Sequence, residues 1–473
     1  MEGEQGRIER GIEIVFEQGT LLLPGLERHM ELVPELDVIL DTRVGHYRAE
    51  AFHYRAVVEC LAGRSIPYID RARAYTVLDA LTAPRTFRPY PHQEDAVNAW
   101  QEAGMAGLVV MPTGSGKTVV AQMAIAACRR STLVVVPTLD LMAQWVRAME
   151  SFFGVKAGII GGGEFTVNPI SVITYDSAVR HMDSLGNRFG FIVFDEVHHL
   201  PGPMYGLIAR LCIAPFRMGL TATPERHDGG EEQLERLVGP LAFSLKVSSI
   251  AGDVLSPYRT VRKLVDLTPE ETLAYEAARK TYTSFCARKG IRMGSPSGWQ
   301  DFLLQTCRSP EGRQVFDAYQ LQRSIPLKSE AKFRVLGDLL QQHRGDRIIL
   351  FTHVNELAYR ISRRHLLPVI THQTPTRERA EILTRFGKGD YPAVVTSRVL
   401  NEGVDVPEAN VGVVMSGSGS VREHVQRLGR ILRKREGKEA VLYEVVARGT
   451  HEEGMSQRRR KHEAYRRRRH AEK

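Results

Sequence analysis

The chain has 473 residues, of which 43% are hydrophobic and 25% charged, a composition typical of a globular protein with about two to four domains. Its five cysteines form no CxxC pair, which argues against a structural zinc site, an iron–sulfur cluster or a disulfide framework and fits a reducing cytosol. The charged first ten residues predict no secretory signal, and no apolar run approaches the roughly 20 residues that span a bilayer.

Positive charge is concentrated at the C-terminal end of the chain. The formal net charge is +9, and residues 457–473 hold seven arginines and two lysines against two glutamates. That segment therefore carries +7 and the remaining residues only +2. A charge run of this kind contacts phosphates without reading sequence, which predicts nonspecific binding of nucleic acid. A solvated tail with no specific role is the alternative.

Residues 1–82 combine alternating apolar stretches with short helical patterns, which predicts a small α+β domain. A turn-rich segment with prolines at 81–93 indicates its boundary. From 83 to 250, apolar runs rich in β-branched residues alternate with helical windows, as in a parallel sheet covered on both faces. The runs are GLVVM (107–111), TLVVV (132–136), ISVIT (170–174) and FIVF (191–194).

The alternation stops at about residue 251, and residues 251–327 predict a linker followed by a charged helical insert. It returns over residues 328–455, and residues 456–473 form the basic tail. The fold class is therefore α/β, with two parallel-sheet domains, a helical insert between them in sequence and a small N-terminal domain. The returning runs are RIILF (347–351), AVVTS (393–397), VGVVM (411–415) and AVLYEVV (440–446).

The strongest motif is MPTGSGKT at 111–118, between an apolar strand and a helical window. In that context a glycine-rich loop turns its backbone N–H groups toward phosphate oxygens, and the helix N-terminus adds a positive field. Lys117 would neutralise the β- and γ-phosphates, and the Thr118 hydroxyl would bind Mg²⁺. The loop residues expected to bind the nucleotide are Thr113, Gly114, Ser115, Gly116, Lys117 and Thr118.

The second motif is FDEVHH at 194–199, at the end of the strand FIVF. Acidic residues at the carboxyl edge of a parallel sheet lie beside a phosphate loop of the same sheet. Asp195 would hold Mg²⁺, through water, and Glu196 would orient and polarise the attacking water. His198 and His199 are interpreted as hydrogen-bonding groups that couple the two parallel-sheet domains, although two histidines can also bind a metal.

Two further motifs extend the pattern. In GLTATP at 219–224, Thr221 and Thr223 are expected to bond to the acidic pair. In HVQRLGRILRK at 424–434, Arg430 and Arg433 share one helix face and could act as arginine fingers on the developing phosphoryl charge. A solvated basic helix face is the alternative for these arginines.

With these motifs in place, the chain resembles a superfamily-2 helicase over about residues 84–455. The motif set and its order carry the resemblance. The matching segments are MPTGSGKT (motif I), VVVPTLDLMAQW at 134–145 (Ia), DEVHH (II), TAT at 221–223 (III), LFTHVNELA at 350–358 (IV), VVTSRVLNEGVDVPEANVGVV at 394–414 (V) and QRLGRILR at 426–433 (VI).

Within that superfamily the chain is most similar to the XPB (xeroderma pigmentosum group B) helicases in their short archaeal and bacterial form. DEVHH, the stretch 401–433 and the closing AVLYEVVARGT carry this match. The resemblance implies a damage-recognition domain at 1–82, RecA-like domains at 83–250 and 328–455, and a helical thumb within 251–327.

The resemblance also implies roles for individual residues. Gln93 would read adenine with its amide, Gly403 and Asp405 would lie at the nucleotide, and Gln426 would join the two arginines in catalysis. The family's Arg-Glu-Asp motif corresponds to Arg226, His227 and Asp228, so its central glutamate is replaced. The residues placed on nucleic acid are Pro137, Thr138, Arg226, Asp228, Thr396 and Ser397.

The implied function is an ATP-dependent DNA helicase or translocase of 3′–5′ polarity that serves in DNA repair. It would be a DNA-dependent ATPase that uses ATP and Mg²⁺ and binds single-stranded or forked duplex DNA. We expect a monomer in a prokaryotic cytosol, associated with the nucleoid, with a separate nuclease as a partner. Two alternatives stay open: an ATP-driven duplex remodeller, and an ATP-gated module that recruits a nuclease without separating strands.

Overall fold

The computed structural model describes residues 11–79, 81, 83–84, 86–222, 230–246, 258–295, 297–397, 409–416 and 440–460. The chain divides into two compact units, Met1–Lys246 and Val247–Lys473. Each unit is built on a parallel sheet, and the first also carries a smaller mixed sheet. Within the described ranges, no helix is both long and apolar enough to cross a membrane.

The first unit begins with the small sheet, whose strand order is β3-β4-β2-β1-β5. Strands β1 and β5 pair in parallel and the other neighbours are antiparallel. Helix α1 (Tyr54–Gly63) turns Tyr54, Val57 and Leu61 inward at helical spacing, which closes the core of this domain. The strands are β1 (Ile12–Glu17), β2 (Thr20–Leu23), β3 (Ile39–Asp41), β4 (His46–Glu50) and β5 (Tyr68–Asp70).

The small domain is joined to the rest of the first unit by direct contacts. Arg55 donates from Nη1 to the Gly104 carbonyl at 2.6 Å, and Asn187 donates from Nδ2 to the Ala72 carbonyl at 3.0 Å. Ile213, from the part of the chain that builds the larger sheet, lies in the small domain's apolar core. The small domain therefore contacts the domain of the larger sheet through both hydrogen bonds and buried apolar surface.

The larger sheet of the first unit has the strand order β13-β6-β12-β11-β7-β10-β8-β9, parallel except for the pair β8–β9. Its strands are β6 (Ala106–Val110), β7 (Thr132–Val136), β8 (Gly158–Gly161), β9 (Glu164–Thr166), β10 (Ile170–Thr174), β11 (Phe191–Asp195), β12 (Phe216–Thr221) and β13 (Leu241–Ser244). Its helices are α2 (Pro91–Glu102), α3 (Lys117–Cys128), α4 (Leu139–Phe153), α5 (Tyr175–Leu185), α6 (Gly206–Arg210) and α7 (Gly230–Val238).

Strand β12 carries a buried arginine. The Arg217 guanidinium donates hydrogen bonds to the carbonyls of Ala214, Ala209, Leu237 and Cys212 at 3.1, 3.1, 2.8 and 2.5 Å. Burial lowers its pKa from the usual value for arginine. The side chain satisfies carbonyls at the ends of two helices, which would otherwise lack partners away from water.

We expect Arg217→Met to lower the free energy of unfolding by about 3 kcal/mol or more, because several buried carbonyls lose their donor together. Urea unfolding followed by circular dichroism measures the change. Arg210→Ala is the matched control, since Arg210 is partly exposed and its ion pair with Glu50 is long, at 3.6 Å. Equal effects of the two substitutions would contradict this account.

The second unit has a parallel sheet with the order β14-β19-β18-β15-β17-β16. Its edge strand β14 lies within residues 251–327, the range predicted to hold a linker and a helical insert, and it pairs with β19 along its whole length. The alternating sequence YRTVRKLV suits an edge strand, and it is not the continuous apolar run used to predict strands. The strands are β14 (Tyr258–Val265), β15 (Ile348–Phe351), β16 (Val369–Ile370), β17 (Ala393–Thr396), β18 (Val411–Val414) and β19 (Ala440–Ala447).

Helices α8 and α10 pack together beside α9 to form the predicted helical insert. Phe285, Phe302 and Val315 from these helices make its own small apolar core. The fold class predicted from the sequence is therefore confirmed: parallel-sheet α/β domains, a helical insert and a small N-terminal α+β domain. The helices of the second unit are α8 (Pro269–Arg288), α9 (Gly298–Thr306), α10 (Pro310–Lys328), α11 (Glu330–Gln342), α12 (Asn355–His365), α13 (Thr376–Lys388) and α14 (His451–Arg460).

A buried ion pair fixes helix α14 to the second sheet. Lys332 Nζ donates to the Glu452 carboxylate at 2.7 Å and to the Met415 carbonyl at 2.9 Å. One turn along α14, Ser456 Oγ donates to Glu444 at 2.7 Å. Because all these groups are buried and partnered, the first turns of α14 are held by hydrogen bonds as well as by packing.

Candidate active site

The predicted phosphate loop joins β6 to α3, as its sequence context requires. Gly114 and Gly116 have φ of 86° and 89°, in the left-handed region that favours glycine. Ser115 Oγ donates to the Pro112 carbonyl at 2.7 Å, which holds the loop in its curled form. Gly116 precedes α3 without a side-chain cap, so the first N–H groups of that helix point at the loop.

Two residues of α2 contact the backbone of the phosphate loop. Gln93 Nε2 and His92 Nε2 both contact the Ser115 carbonyl, at 3.1 and 2.9 Å. Gln93 Oε1 accepts a hydrogen bond from the Tyr90 N–H at 3.0 Å. Glycine is favoured at 116 because its φ of 89° would strain another residue, and an added Cβ atom would lie 2.2 Å from Gln93 Nε2, which would have to move. The structure gives Gln93 a role in shaping the loop, and its contact with adenine stays a prediction.

The loop presents groups suited to a phosphate. Lys117 Nζ donates to the Met111 carbonyl at 3.2 Å, a contact that a stronger anionic acceptor could replace. The Thr113 hydroxyl is buried and has no partner among the described residues. The curled loop, the helix N-terminus without a side-chain cap, the lysine and the unpartnered hydroxyl together supply the donors that a nucleoside triphosphate requires.

The acidic pair lies at the carboxyl end of β11, and Asp195 is buried with about 6% of its surface exposed. Asp195 Oδ1 accepts the Glu196 N–H at 2.9 Å, and Oδ2 accepts the indole N–H of Trp145 at 2.7 Å. Glu196 itself has φ 47° and ψ 52°, a left-handed conformation that costs a non-glycine residue about 1–2 kcal/mol. Strain of this kind concentrates at functional sites, where surrounding structure holds it in place.

Two aromatic residues that the sequence motifs do not identify as site residues, Trp145 and Tyr175, contact Asp195. Trp145 is buried on α4 and donates to the carboxylate, as described above. The Tyr175 hydroxyl donates to the Asp195 carbonyl at 3.1 Å. Burial, together with the nearby carboxylates of Asp195 and Glu196, raises the pKa of Tyr175 well above its usual value, so it acts as a donor.

The third motif meets the second inside this unit. His198 Nδ1 lies 3.3 Å from Thr221 Oγ1, and His198 also lies 3.4 Å from the Glu196 carboxylate. Thr221 ends β12, the strand between β6 and β11, and its carbonyl accepts the Met111 N–H at 2.9 Å. His198 therefore links motif II to motif III through the Thr221 hydroxyl, and the Thr221 carbonyl links motif III to motif I, all along one sheet edge.

The sheet order explains why these motifs come together. The strands β6, β12, β11 and β7 are consecutive neighbours and run parallel, so their carboxyl ends meet at one edge. That edge carries the phosphate loop, Thr221, the acidic pair and Pro137–Thr138 in turn. Thr138 caps α4 by accepting the Leu141 N–H at 3.2 Å, which leaves its hydroxyl proton to donate elsewhere.

The residues predicted to contact DNA from the second unit are in a different setting. Thr396 ends β17 and Ser397 follows it, both are buried, and the Thr396 hydroxyl donates to the Ser397 carbonyl at 2.9 Å. Their contact with DNA stays a prediction. The remaining predicted site residues lie outside the described residues: Thr223, Arg226, Asp228, Gly403, Asp405, Gln426, Arg430 and Arg433.

A phosphate loop, an acidic pair and a threonine motif on one parallel sheet, followed in the same chain by a second parallel-sheet unit, define a superfamily-2 type of helicase ATPase. Three family models match the chain. They are described as "Xeroderma pigmentosum group B helicase damage recognition domain" (residues 14–72), "Type III restriction enzyme, res subunit" (86–226) and "ERCC3/RAD25/XPB C-terminal helicase" (318–464).

Homologous proteins extend the match over most of the chain. "DNA 3'-5' translocase XPB2" of Sulfurisphaera tokodaii is 40% identical over 88% of this chain and 93% of that protein. "DNA 3'-5' helicase XPB" of Mycobacterium tuberculosis is 31% identical over 73% of this chain and 58% of that protein. The Saccharomyces cerevisiae "General transcription and DNA repair factor IIH helicase/translocase subunit XPB/SSL2" is 26% identical over 76% of this chain and 42% of that protein. The chain thus spans about half the length of the last two.

The chain belongs to the XPB family of superfamily-2 helicases. It is an ATP-hydrolysing DNA helicase or translocase of the XPB type, which confirms the predicted enzyme class and the predicted use of ATP and DNA. These relatives do not favour the alternative of a gated module that only recruits a nuclease.

Proposed function

We propose that the chain hydrolyses ATP, with Mg²⁺, at the edge formed by β6, β12, β11 and β7, and that hydrolysis drives 3′–5′ movement along DNA during repair. The observation that carries this proposal is the placement of motifs I, II and III on consecutive parallel strands. The polarity and the repair role follow the names of the relatives from Sulfurisphaera tokodaii and Saccharomyces cerevisiae.

Each residue of this edge has a proposed task. Lys117 neutralises the β- and γ-phosphates, and the N–H groups of the loop from Thr113 to Thr118 bind phosphate oxygens. Thr118 and Asp195 would hold Mg²⁺, which supplies charge neutralisation for the phosphates when it is bound. Glu196, next to the metal-holding carboxylate, orients and polarises the attacking water.

The other proposed tasks rest on the family resemblance. Gln426, Arg430 and Arg433 would stabilise the charge that develops on the transferred phosphoryl group. Gln93 would contact the adenine, and Gly403 and Asp405 would line the nucleotide. Short polar side chains and backbone N–H groups suit contact with phosphates without base reading. The proposed DNA contacts are Pro137, Thr138, Arg226, Asp228, Thr396 and Ser397.

The domain organisation and partners are also proposals. We propose functional boundaries at 1–82, 83–250, 251–327, 328–455 and 456–473. The protein would act as a monomer in a prokaryotic cytosol. We also propose a separate nuclease as its partner.

Steady-state ATP hydrolysis tests the proposed function when it is measured with no nucleic acid, single-stranded DNA, a forked DNA duplex or RNA. We expect DNA to stimulate hydrolysis at least tenfold and RNA to leave it near the basal rate. Unwinding of forks with a 3′ or a 5′ single-stranded arm then reports the polarity. Stimulation by RNA instead of DNA, or unwinding from the 5′ arm alone, would overturn the proposal.

A further inference from the structure

Helix α4 is hydrogen-bonded to both halves of the proposed ATP site. From its middle, Trp145 donates its indole N–H to Asp195 Oδ2 at 2.7 Å, across to the end of β11. Three residues further along α4, the Ala148 carbonyl accepts a hydrogen bond from Gln122 Nε2 at 2.8 Å. Gln122 lies on α3, the helix that begins at the phosphate loop. A shift of α4 would therefore act on the loop helix and on the carboxylate together.

The bond from Trp145 fixes the orientation of the Asp195 carboxylate. With Oδ2 bonded to the indole and Oδ1 bonded to the Glu196 N–H at 2.9 Å, both oxygens have a set direction. Bonds to an ionised acceptor are short and strong, and the burial of both side chains protects this one from water. The second bond also connects the Asp195 carboxylate directly to the backbone of Glu196, whose strained conformation depends on its surroundings.

The same helix begins at the motif proposed to face DNA. Thr138 caps α4 through the Leu141 N–H, and Trp145 lies seven residues further along. Seven residues are almost two helical turns, so Thr138 and Trp145 lie on the same side of α4, about 10 Å apart along its axis. Met142, Trp145 and Met149 are buried on this side, which makes α4 a rigid connection through the core.

We propose that Trp145 is a positioning residue for the acidic pair, and that its hydrogen bond to Asp195 makes the geometry of the ATP site depend on the position of α4. Contact of DNA at the Thr138 end would then set the Asp195 carboxylate for hydrolysis. The inference rests on the proposed function, because it takes Asp195 as the group that holds Mg²⁺ and Thr138 as a DNA contact. It assigns to Trp145 a role beyond packing.

Trp145→Phe tests the proposal, since phenylalanine keeps a buried ring and removes the N–H. We expect the DNA-stimulated rate of ATP hydrolysis to fall about tenfold, with a smaller effect on the basal rate. The Mg²⁺ concentration that gives half-maximal binding of a fluorescent ADP analogue should rise several-fold. Trp100→Phe is the matched control, because Trp100 is equally buried and donates its indole N–H to the Arg217 carbonyl at 2.9 Å, away from Asp195.

A spectroscopic measurement reports the bond without relying on activity. The chain has three tryptophans, so protein labelled with ¹⁵N-tryptophan gives three indole N–H signals, which single substitutions assign. We expect the Trp145 signal to shift when Mg²⁺ and ADP are added, and to shift again with single-stranded oligothymidine. The Trp100 signal should stay in place.

The outcomes separate the inference from the proposed function. Asp195→Asn should abolish hydrolysis, and if it does not, the proposed site itself is wrong. If Asp195→Asn is inactive while Trp145→Phe keeps wild-type DNA stimulation and Mg²⁺ dependence, only the inference fails. Equal losses in Trp145→Phe and Trp100→Phe, with equal drops in melting temperature, would reduce Trp145 to a structural residue and overturn the proposal.

Discussion

Replacement of Lys117 by alanine should lower the rate of ATP hydrolysis by at least 10²–10³-fold and leave DNA binding largely intact. The Lys117 ammonium is the one cationic side chain within the sequence of the phosphate loop, 111–118. It would neutralise charge on the β- and γ-phosphates, and loss of one electrostatic group at a reacting centre has an effect of this size. Malachite-green release of phosphate measures hydrolysis, and fluorescence anisotropy of a labelled fork measures DNA binding.

Lys156→Ala is the matched control, because Lys156 is an exposed lysine of the same unit that lies away from the loop. It should hydrolyse ATP at the wild-type rate. Circular dichroism should show an unchanged fold for Lys117→Ala, since the only side-chain hydrogen bond of Lys117 to another described residue is the 3.2 Å contact with the Met111 carbonyl. A Lys117→Ala protein with normal turnover would place the ATP site elsewhere.

Eight parallel strands of this fold were predictable because they are buried on both faces. The runs at 132–136 and 170–174 coincide with β7 and β10, and the other predicted runs match their strands to within about a residue at either end. A strand covered on both faces consists of apolar residues throughout, and that pattern is visible without tertiary information. The same physics explains why the alternating edge strand β14 was read as linker.

Strand β12 could not be predicted from its own residues. It is central, next to the phosphate-loop strand, yet Arg217 and Gly219 interrupt its apolar pattern. An arginine predicts an exposed position because burial of an unpaired charge is costly. Here carbonyls from α6, α7 and the loop before β12 meet at the guanidinium and satisfy it. That convergence depends on tertiary structure and leaves no local signal.

The residues of the site also fall into a group that local sequence predicts and a group that it does not. Gly114, Gly116 and Lys117 could be placed from local spacing, since a phosphate loop is built by consecutive residues. The supports of the site come from other elements: His92 reaches the Ser115 carbonyl from α2, and Trp145 reaches Asp195 from α4. Trp145 even lies at the end of the segment matched to motif Ia, but an aromatic residue on a buried helix face gives no indication that its N–H reaches a carboxylate.

Removal of residues 457–473 should weaken binding of single-stranded DNA about 10²–10³-fold at 100 mM salt and flatten the salt dependence. The segment carries seven arginines and two lysines. If about four of them contact phosphates at once, the slope of log affinity against log salt should fall by about 3 in magnitude. Anisotropy titrations of labelled oligothymidine between 50 and 300 mM salt measure both quantities.

The truncation should leave the second unit folded, because the buried contacts of α14 lie before the cut. The Lys332–Glu452 pair and the bond from Ser456 to Glu444 are both retained. A full-length protein with all seven tail arginines replaced by glutamine is the matched control, since it removes charge and keeps length. It should lose as much affinity as the truncated protein, because the expected contacts are electrostatic and independent of sequence. A wild-type salt slope in either variant would show that the +7 segment does not contact DNA, and the binding would then depend on the parallel-sheet units alone.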